Sequence, residues 1–293
     1  MPAIVHTVLG PVPADELGVV AVHEALVSVL PGAEYGYDLV MDRAEIFETL
    51  VARLVDFRQC GGGTIVDSTG MFHGRDVRLL EALSRTTGVH VVASTGQGPE
   101  GVLGGYFLTP QTNPPTPWPA DKFADLFSRE VTQGMVVPRV ERRGAAGLVA
   151  TAATVGGMTA TDESLLRGAA RAGLATGVPV SFGVGADAVA EIEVAFAEGL
   201  PADRLLVADA GDQAAKVADL GAYVVLTDPA LVVSLVEAGH AERVLLATGG
   251  AALSFGHDVP RAAYAPLATA LPDDIAHQVL VANPRDLLTV KER

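Results

Sequence analysis

Residues 178–248 carry four short apolar runs at nearly regular spacing, and this stretch decides the fold. The runs are 178–183 (VPVSFG), 204–209 (RLLVAD), 222–227 (AYVVLT) and 243–248 (RVLLAT). Continuous runs of Val, Leu and Ala, rather than strict apolar–polar alternation, are typical of parallel strands that are buried on both faces. Segments of helical length separate the runs, so the stretch predicts repeated strand–helix units around a parallel sheet.

The same rhythm extends toward the N-terminus. Four further runs occupy residues 18–23, 64–68, 89–95 and 147–151. Helix starts are recognisable between runs, as where Thr161 precedes the acids Asp162 and Glu163 and is expected to cap a first turn. Eight alternations predict an α/β protein with a closed (β/α)8 TIM barrel. Such barrels commonly need about 250 residues, so one barrel domain is expected to span residues 1–293.

Composition and charge exclude several classes of partner. The formal net charge of −15 argues against nucleic acid and anionic membrane surfaces, which are bound through basic patches. The single cysteine, Cys60, excludes an internal disulfide or a CxxC pair, and its place in a helix-to-strand turn indicates a structural role. The first residues lack the basic start and apolar core of a signal peptide, and no apolar run approaches about 20 residues. A cytoplasmic location is therefore expected.

A Pro-rich segment, residues 104–120, interrupts the rhythm after the third predicted strand. Long irregular loops inside compact domains are often functional, and this one should lie at the carboxyl end of the barrel, where barrel active sites are built. It carries two large aromatic side chains, Tyr106 and Trp118. Two interpretations remain open, a wall of a binding pocket or a stiff connector that Trp118 pins down.

The predicted strand ends supply the polar residues of the barrel mouth. They are His23, Asp67, Ser68, Thr95, Thr151, Ser181, Asp209 and Asp228, with His257 and Asp258 in the last loop. Glu24 should point away from the lumen if His23 points in, because side chains alternate along a strand. None of the serines lies in a G-x-S-x-G elbow, so nucleophilic catalysis has weak support. Glycine pairs at 183–185 and 249–250 indicate an anion site only weakly.

Several of these segments carry a family resemblance. The segments 17–26 (LGVVAVHEAL), 63–69 (GTIVDST), 89–96 (VHVVASTG) and 281–284 (VANP) occur in one order along nearly the whole chain. Together they resemble the phosphotriesterase-like family of the amidohydrolase superfamily. The resemblance implies a TIM barrel and a small-molecule substrate, and it suggests a homodimer.

The resemblance also implies where the family's two-metal site would lie, and most of its ligands are missing. In the family the first strand ends in His-Glu-His, whereas here His23 is followed by Ala25. The other ligand positions, a lysine, two histidines and an aspartate, fall on Ala150, Gly183, Asp209 and Gly249. A catalytic zinc needs three protein ligands and an open position. The sequence therefore predicts that no metal and no other cofactor is bound.

His23 and Asp209 are the sharpest catalytic candidates, because the resemblance implies that both positions face one cavity. A histidine near a carboxylate can act as a base with an orienting acid. Asp228 and Asp67 are further catalytic candidates, although Asp67 alternatively serves as a structural hydrogen-bonding group. The candidate substrate-binding residues are Tyr106, Trp118, Ser181, Thr151 and His257.

Three functions remain open on this sequence. The first is a metal-independent enzyme that uses acid–base chemistry for ester or lactone hydrolysis, elimination or isomerisation. The second is a catalytically inactive protein that binds a small ligand or a partner protein. The third, a zinc-dependent phosphotriesterase or lactonase, is disfavoured by the missing ligands. An open, polar, ligand-sized mouth would favour the first, and a plugged mouth beside an apolar patch the second.

Overall fold

Parallel strands with helices between them form a barrel. The structure, a computed structural model, describes residues 3–137 and 141–291. The strands within these ranges are β1 (Ile4–Thr7), β2 (Gly10–Pro13), β3 (Val19–Val29), β4 (Gly62–Asp67), β5 (His90–Thr95), β6 (Met135–Val136), β7 (Arg142–Arg143), β8 (Leu148–Ala152), β9 (Val180–Gly183), β10 (Leu205–Ala208), β11 (Tyr223–Leu226), β12 (Val244–Leu246) and β13 (Ala251–Phe255). The pairs β1–β2 and β6–β7 are small antiparallel hairpins outside the main sheet.

The main sheet closes on itself through its last strand. Its order is β12-β11-β10-β9-β8-β5-β4-β3-β13, with parallel pairing throughout. The lower half of β3 pairs with β4, and its upper half pairs with β13, which follows β12 after residues 247–250. The eighth strand is therefore split into β12 and β13, and its second part closes a (β/α)8 barrel. This confirms the fold class that the sequence predicts.

Helices follow the strands and cover the outside of the barrel. They are α1 (Arg43–Gln59), α2 (Val77–Thr87), α3 (Glu100–Leu103), α4 (Gly105–Leu108), α5 (Ala120–Thr132), α6 (Ala160–Thr176), α7 (Ala188–Ala197), α8 (Ala214–Asp219), α9 (Pro229–Leu235), α10 (Tyr264–Leu267), α11 (Asp273–His277) and α12 (Asn283–Leu288). None of the described helices is long and apolar enough to cross a membrane.

Alternate residues of each strand build two separate apolar layers. Val20, Val22, Val66, Leu148 and Leu206 belong to the inner cluster, which fills the lower barrel. Their strand neighbours belong to the outer cluster between strands and helices; examples are Ala21, Ile65, Val149 and Val207. Both clusters are almost completely buried. This double burial explains the continuous apolar runs, because neither face of a barrel strand meets water.

The N-terminal end of the barrel is closed. The hairpin of β1 and β2 contributes Val5 to the inner cluster, and Val8 N donates to Val91 O near the start of β5. Arg204 lies buried at this end and donates to the carbonyl oxygens of Leu287 and Gly177, at 2.6 and 2.7 Å. Cys60 is exposed between α1 and β4, at the N-terminal end where the sequence places it.

The sequence places eight of the nine strands of the main sheet, misses β13, and misjudges some boundaries. The first strand is predicted to end at His23, yet β3 continues to Val29. The predicted cap of α6 is also wrong by two residues. Thr159 is the cap, its side chain accepting from Asp162 N at 3.1 Å, whereas Thr161 lies inside the first turn and donates to Glu100 Oε1. Thr159 N in turn donates to Asp162 Oδ2 at 3.1 Å, which makes a reciprocal capping box.

Candidate active site

A cavity of about 410 Å³ opens at the carboxyl ends of the barrel strands. Its wall is built mostly from small residues: Ala25, Ala150, Ala152, Gly183, Ala208, Ala247 and Gly249. Polar side chains with ionisable or hydroxyl groups line the remainder, among them His23, Glu24, Ser68, Thr151, Ser181 and Asp209. The volume lies within the range of small-molecule sites, and the position is the one that barrel enzymes use.

A bulge in β3 shapes the floor of this cavity. Ala21 pairs with Ile65 and Glu24 pairs with Asp67, so two residues of β3, Val22 and His23, lie opposite a single residue of β4. His23 has the left-handed φ of 54°. A bulge of this kind breaks the alternation of side chains. His23 and Glu24 therefore both line the cavity, and the prediction that Glu24 points away from the lumen is wrong.

Glu24 is a carboxyl group held at a pKa near neutrality. Its side chain is only 1% exposed, and Thr248 donates to it through the backbone N–H at 2.8 Å and through the hydroxyl. Burial raises the pKa of Glu24 to about 7, helped by the charge of Asp67 and opposed by the two Thr248 bonds. A carboxyl group with this pKa can deliver or accept a proton at neutral pH.

His23 contacts Ser181 and interacts electrostatically with Asp209. Its Nδ1 lies 3.1 Å from Ser181 Oγ, across the cavity floor from β9. Burial lowers the pKa of the His23 imidazole below 6.5, and the negative charge of Asp209 opposes part of that shift. His23 is therefore a neutral imidazole at neutral pH, which is the form that accepts a proton from a reacting group.

Asp209 follows β10 in a second left-handed backbone conformation, with φ of 60°. It lies beside Gly183, where an added Cβ would come within 3.8 Å of Asp209 Oδ2. Among the described residues no hydrogen bond or ion pair joins Asp209 to His23, so their coupling is electrostatic. Non-glycine residues rarely adopt positive φ, and such conformations cluster at functional sites. Both His23 and Asp209 carry this feature at the cavity.

Comparison with known proteins gives the family. A model of the phosphotriesterase family matches residues 3–285. The chain belongs to that family. It is 28% identical over 219 residues to an aryldialkylphosphatase of Saccharolobus solfataricus, covering 72% of this chain and 66% of that protein. It is 26% identical over 217 residues to an N-acetyltaurine hydrolase of Danio rerio, covering 65% and 59%. The matches thus span somewhat less than two thirds of each relative.

Two further comparisons show a likeness at lower identity. A phosphotriesterase homology protein of Mycobacterium tuberculosis is 25% identical over 213 residues, covering 71% of this chain and 63% of that protein. A solved structure from work on organophosphate hydrolysis engineered into a weak promiscuous lactonase superposes with a TM-score of 0.80 at 20% identity. It covers 97% of this chain and 99% of the other, which supports the shared barrel fold.

The metal-ligand positions that the family resemblance implies all converge on the cavity. Ala25, Ala150, Gly183 and Gly249 line it together with His23 and Asp209. The first four offer no side-chain lone pair, and only His23 and Asp209 remain as donors. No group of three His, Cys, Asp or Glu that could hold a metal ion occurs within residues 3–137 and 141–291. This donor set does not fit the family's two-metal centre.

Two of the acidic catalytic candidates lie outside the cavity wall. Asp67 is buried below it, accepting from Leu26 N at 3.0 Å and from Thr69 N at 3.1 Å. Burial raises the pKa of Asp67, and the Thr69 and Leu26 bonds offset part of the shift. Asp228 is exposed and caps α9 by accepting from Ala230 N at 2.9 Å. These hydrogen bonds are of the structural kind, and neither aspartate is among the residues that line the cavity.

Some of the substrate-binding candidates line the cavity and others lie outside its wall. Ser181 and Thr151 line the cavity, and Thr151 Oγ1 donates to Gln97 O at 3.0 Å. His257 lies beside the wall, 3.0 Å from Ser28 Oγ. Trp118 packs against Phe123 of α5 instead, with ring centroids 5.8 Å apart, which is the pinning role. The side chain of Tyr106 lies outside the described part of the structure.

The structure adds residues that the sequence reasoning missed. His73 lines the cavity and its Nε2–H donates to Gly98 O at 2.7 Å. Burial lowers its pKa. It lies in the segment after β4, four residues beyond the segment 63–69. Its closeness to the carboxyl end of that strand could have predicted a place at the barrel mouth. Ser68, which the sequence already places at the barrel mouth, also lines the cavity, and its buried Oγ has no partner among the described atoms.

The weak anion site at residues 183–186 is absent for a local reason. Gly185 N and Ala186 N donate to the Glu191 carboxylate at 2.8 and 2.9 Å. Glu191 lies in the first turn of α7, so its carboxylate already occupies the N–H groups that an anion would need.

Proposed function

We propose that this protein is a hydrolase for small uncharged esters or lactones, working by acid–base chemistry without a binuclear metal centre. The observation that carries the proposal is the pairing, in one open cavity, of a neutral histidine with a carboxyl group whose pKa is about 7. Catalytic sites typically hold an acid and a base whose pKa values the surroundings shift away from their ordinary values.

The two groups would have complementary roles. His23, neutral because burial lowers its pKa, would accept the proton of the attacking group. Glu24, protonated up to about pH 7, would deliver a proton to the leaving oxygen. General acid–base catalysis of this kind contributes about 10²- to 10⁴-fold in rate. Asp209 would stabilise the imidazolium that forms on His23.

Charge and size of the lining indicate the substrate class. Among the described lining residues none is Lys or Arg, and the ionisable acids are Glu24 and Asp209. An anionic substrate would meet unfavourable charge there, so we expect neutral or cationic molecules. A cavity of about 410 Å³ accommodates a compact ester or lactone.

A binding role without turnover is the second candidate. Tyr35, Tyr37 and Val40 in the segment after β3, and Phe72 and Phe107 near the mouth, are exposed apolar side chains. Phe72 and Phe107 contact each other with ring centroids 5.1 Å apart. Exposed apolar groups of this kind favour a partner or ligand surface. The open cavity beneath them favours the enzyme.

A substrate panel separates these functions. Wild type is assayed on neutral esters, lactones and phosphotriesters, with and without a chelator, and its metal content is measured by elemental mass spectrometry after dialysis. The proposal expects chelator-resistant hydrolysis of an ester or lactone and less than 0.1 metal per chain, about a tenth of one site's stoichiometry. Two tightly bound metals per chain, or hydrolysis abolished by the chelator, would overturn it. Saturable binding of panel members without turnover would favour the second candidate.

A further inference from the structure

We infer that the group deprotonated by His23 is the hydroxyl of Ser181, which attacks the substrate and carries a covalent acyl intermediate. This inference rests on the proposed hydrolase function and names its nucleophile. Ser181 Oγ lies 3.1 Å from His23 Nδ1. The two residues are far apart in sequence, on β9 and β3, so the barrel brings them together. Both line the same cavity.

The hydrogen-bond arrangement suits a nucleophile and its base. Within the described residues, His23 is the one hydrogen-bond partner of Ser181 Oγ. In the tautomer that carries its proton on Nε2, the neutral imidazole presents the Nδ1 lone pair to the serine O–H. Asp209 lines the same cavity and interacts with His23 through its charge, without a hydrogen bond between the two side chains among the described residues. Ser181 and His23 therefore have the arrangement of a serine nucleophile and its base.

A second serine–histidine pair offers an internal comparison. Ser28 also lines the cavity, and its Oγ lies 3.0 Å from His257 Nε2. His257 lies near His73, whose pKa it helps to lower, and it is not among the residues that line the cavity, whereas His23 is. A proton taken from Ser28 would therefore reside on a histidine outside the cavity wall, so the geometry favours Ser181.

The reaction balances with the groups at hand. The Ser181 proton passes to His23 Nδ1 while Oγ bonds to the carbonyl carbon of the ester. The carbon–oxygen bond to the leaving alcohol then breaks, and that oxygen takes the proton of Glu24. The proton on His23 returns to Glu24 through solvent, so His23 is neutral again. Water next attacks the acyl carbon and gives its proton to His23. The acyl–Oγ bond breaks, Ser181 regains its proton and the acid is released.

A fluorophosphate probe tests the nucleophile directly. The intact protein is incubated with an uncharged dialkyl fluorophosphate, and adducts are read by intact mass and peptide mapping. Attack by Oγ on phosphorus displaces fluoride and leaves a stable dialkylphosphoryl serine. The expected result is one adduct per chain on Ser181. His23→Ala should slow labelling about 100-fold or more, as expected when a general base is removed.

Matched variants keep the test decisive. Ser181→Ala should lose the adduct with unchanged circular dichroism, whereas Ser234→Ala, at an exposed position of α9 outside the cavity, should be labelled at the wild-type rate. Labelling of Ser28, or no labelling of a protein that hydrolyses the panel, would overturn Ser181 as nucleophile and leave the hydrolase intact. Labelling of Ser181 without turnover of any panel substrate would support the nucleophile and count against the proposed ester or lactone function.

Discussion

The lower and upper halves of the barrel interior are built from the same strands but serve opposite purposes. In the lower half, large apolar side chains fill the lumen completely; they include Val20, Leu148, Leu206 and Leu245. In the upper half the strands end in alanine and glycine, and the space they leave is a cavity bordered by His23, Glu24 and Asp209. The lower layer thus packs the core, and the upper layer leaves the cavity in which we propose that the chemistry takes place.

Removing His23 should have the largest effect on turnover and little effect on stability. We expect His23→Ala to lower ester or lactone turnover about 10²- to 10⁴-fold, because the base is lost. The free energy of unfolding should change by about 1 kcal/mol or less, since the side chain is half-buried at a cavity. Steady-state kinetics and urea unfolding measure the two quantities. The exposed His277→Ala is the control, and equal turnover in both variants would show that the site lies elsewhere.

Leu206→Ala should show the reverse pattern. The Leu206 side chain is 1% exposed in the inner cluster, and its truncation should cost about 2–5 kcal/mol in free energy of unfolding. Turnover per folded molecule should stay within a few fold, because Ala208, not Leu206, borders the cavity. Urea unfolding with kinetics at a temperature where the variant is folded gives both values. Turnover losses as large as those of His23→Ala would remove the separation between layers.

Glu24, which borders the cavity, should make the free energy of unfolding depend on pH. Its pKa is raised to about 7 by burial, so folding favours the protonated carboxyl. The associated stability is present below the unfolded value of about 4.5 and is lost as the pH rises through about 7, amounting to about 3 kcal/mol. Glu24→Gln cannot titrate, so its free energy of unfolding should fall less than that of wild type between pH 5 and 8.

Activity gives a second measure of the same group. Protonated Glu24 and neutral His23 are required together. Turnover should therefore rise as His23 loses its proton, at a lower pH than a free imidazole because burial lowers its pKa, and fall above about 7. The alkaline limb should vanish in Glu24→Gln, together with most activity, whereas the exposed Glu242→Gln should keep both limbs. A wild-type alkaline limb that persists in Glu24→Gln would assign it to another group.

The contrast between layers also explains what the sequence could and could not predict. Barrel strands are apolar on both faces, so runs such as 204–209 predict the fold from composition and spacing alone. The positions of His23, Ser181 and Asp209 at the barrel mouth could be predicted, because each lies near the carboxyl end of a predicted strand. Glu24 could not be predicted, because the bulge at His23 depends on how β3 pairs with β4 at Asp67. The contact of His23 with Ser181 spans 158 residues and is set only by barrel closure.

Asp209→Asn should give the smallest and most local effect. Asp209 acts on His23 through its charge alone, and its exposed position weakens that interaction by solvent screening. Without the charge, the pKa of His23 should fall further, which moves the acidic limb of the pH profile to lower pH. Turnover should drop about tenfold, because the imidazolium loses a stabilising charge. The exposed neighbour Asp212→Asn serves as the control and should leave the acidic limb in place. An unchanged limb in Asp209→Asn would show that the carboxylate does not support His23, and the upper layer would then work as a serine–histidine pair alone.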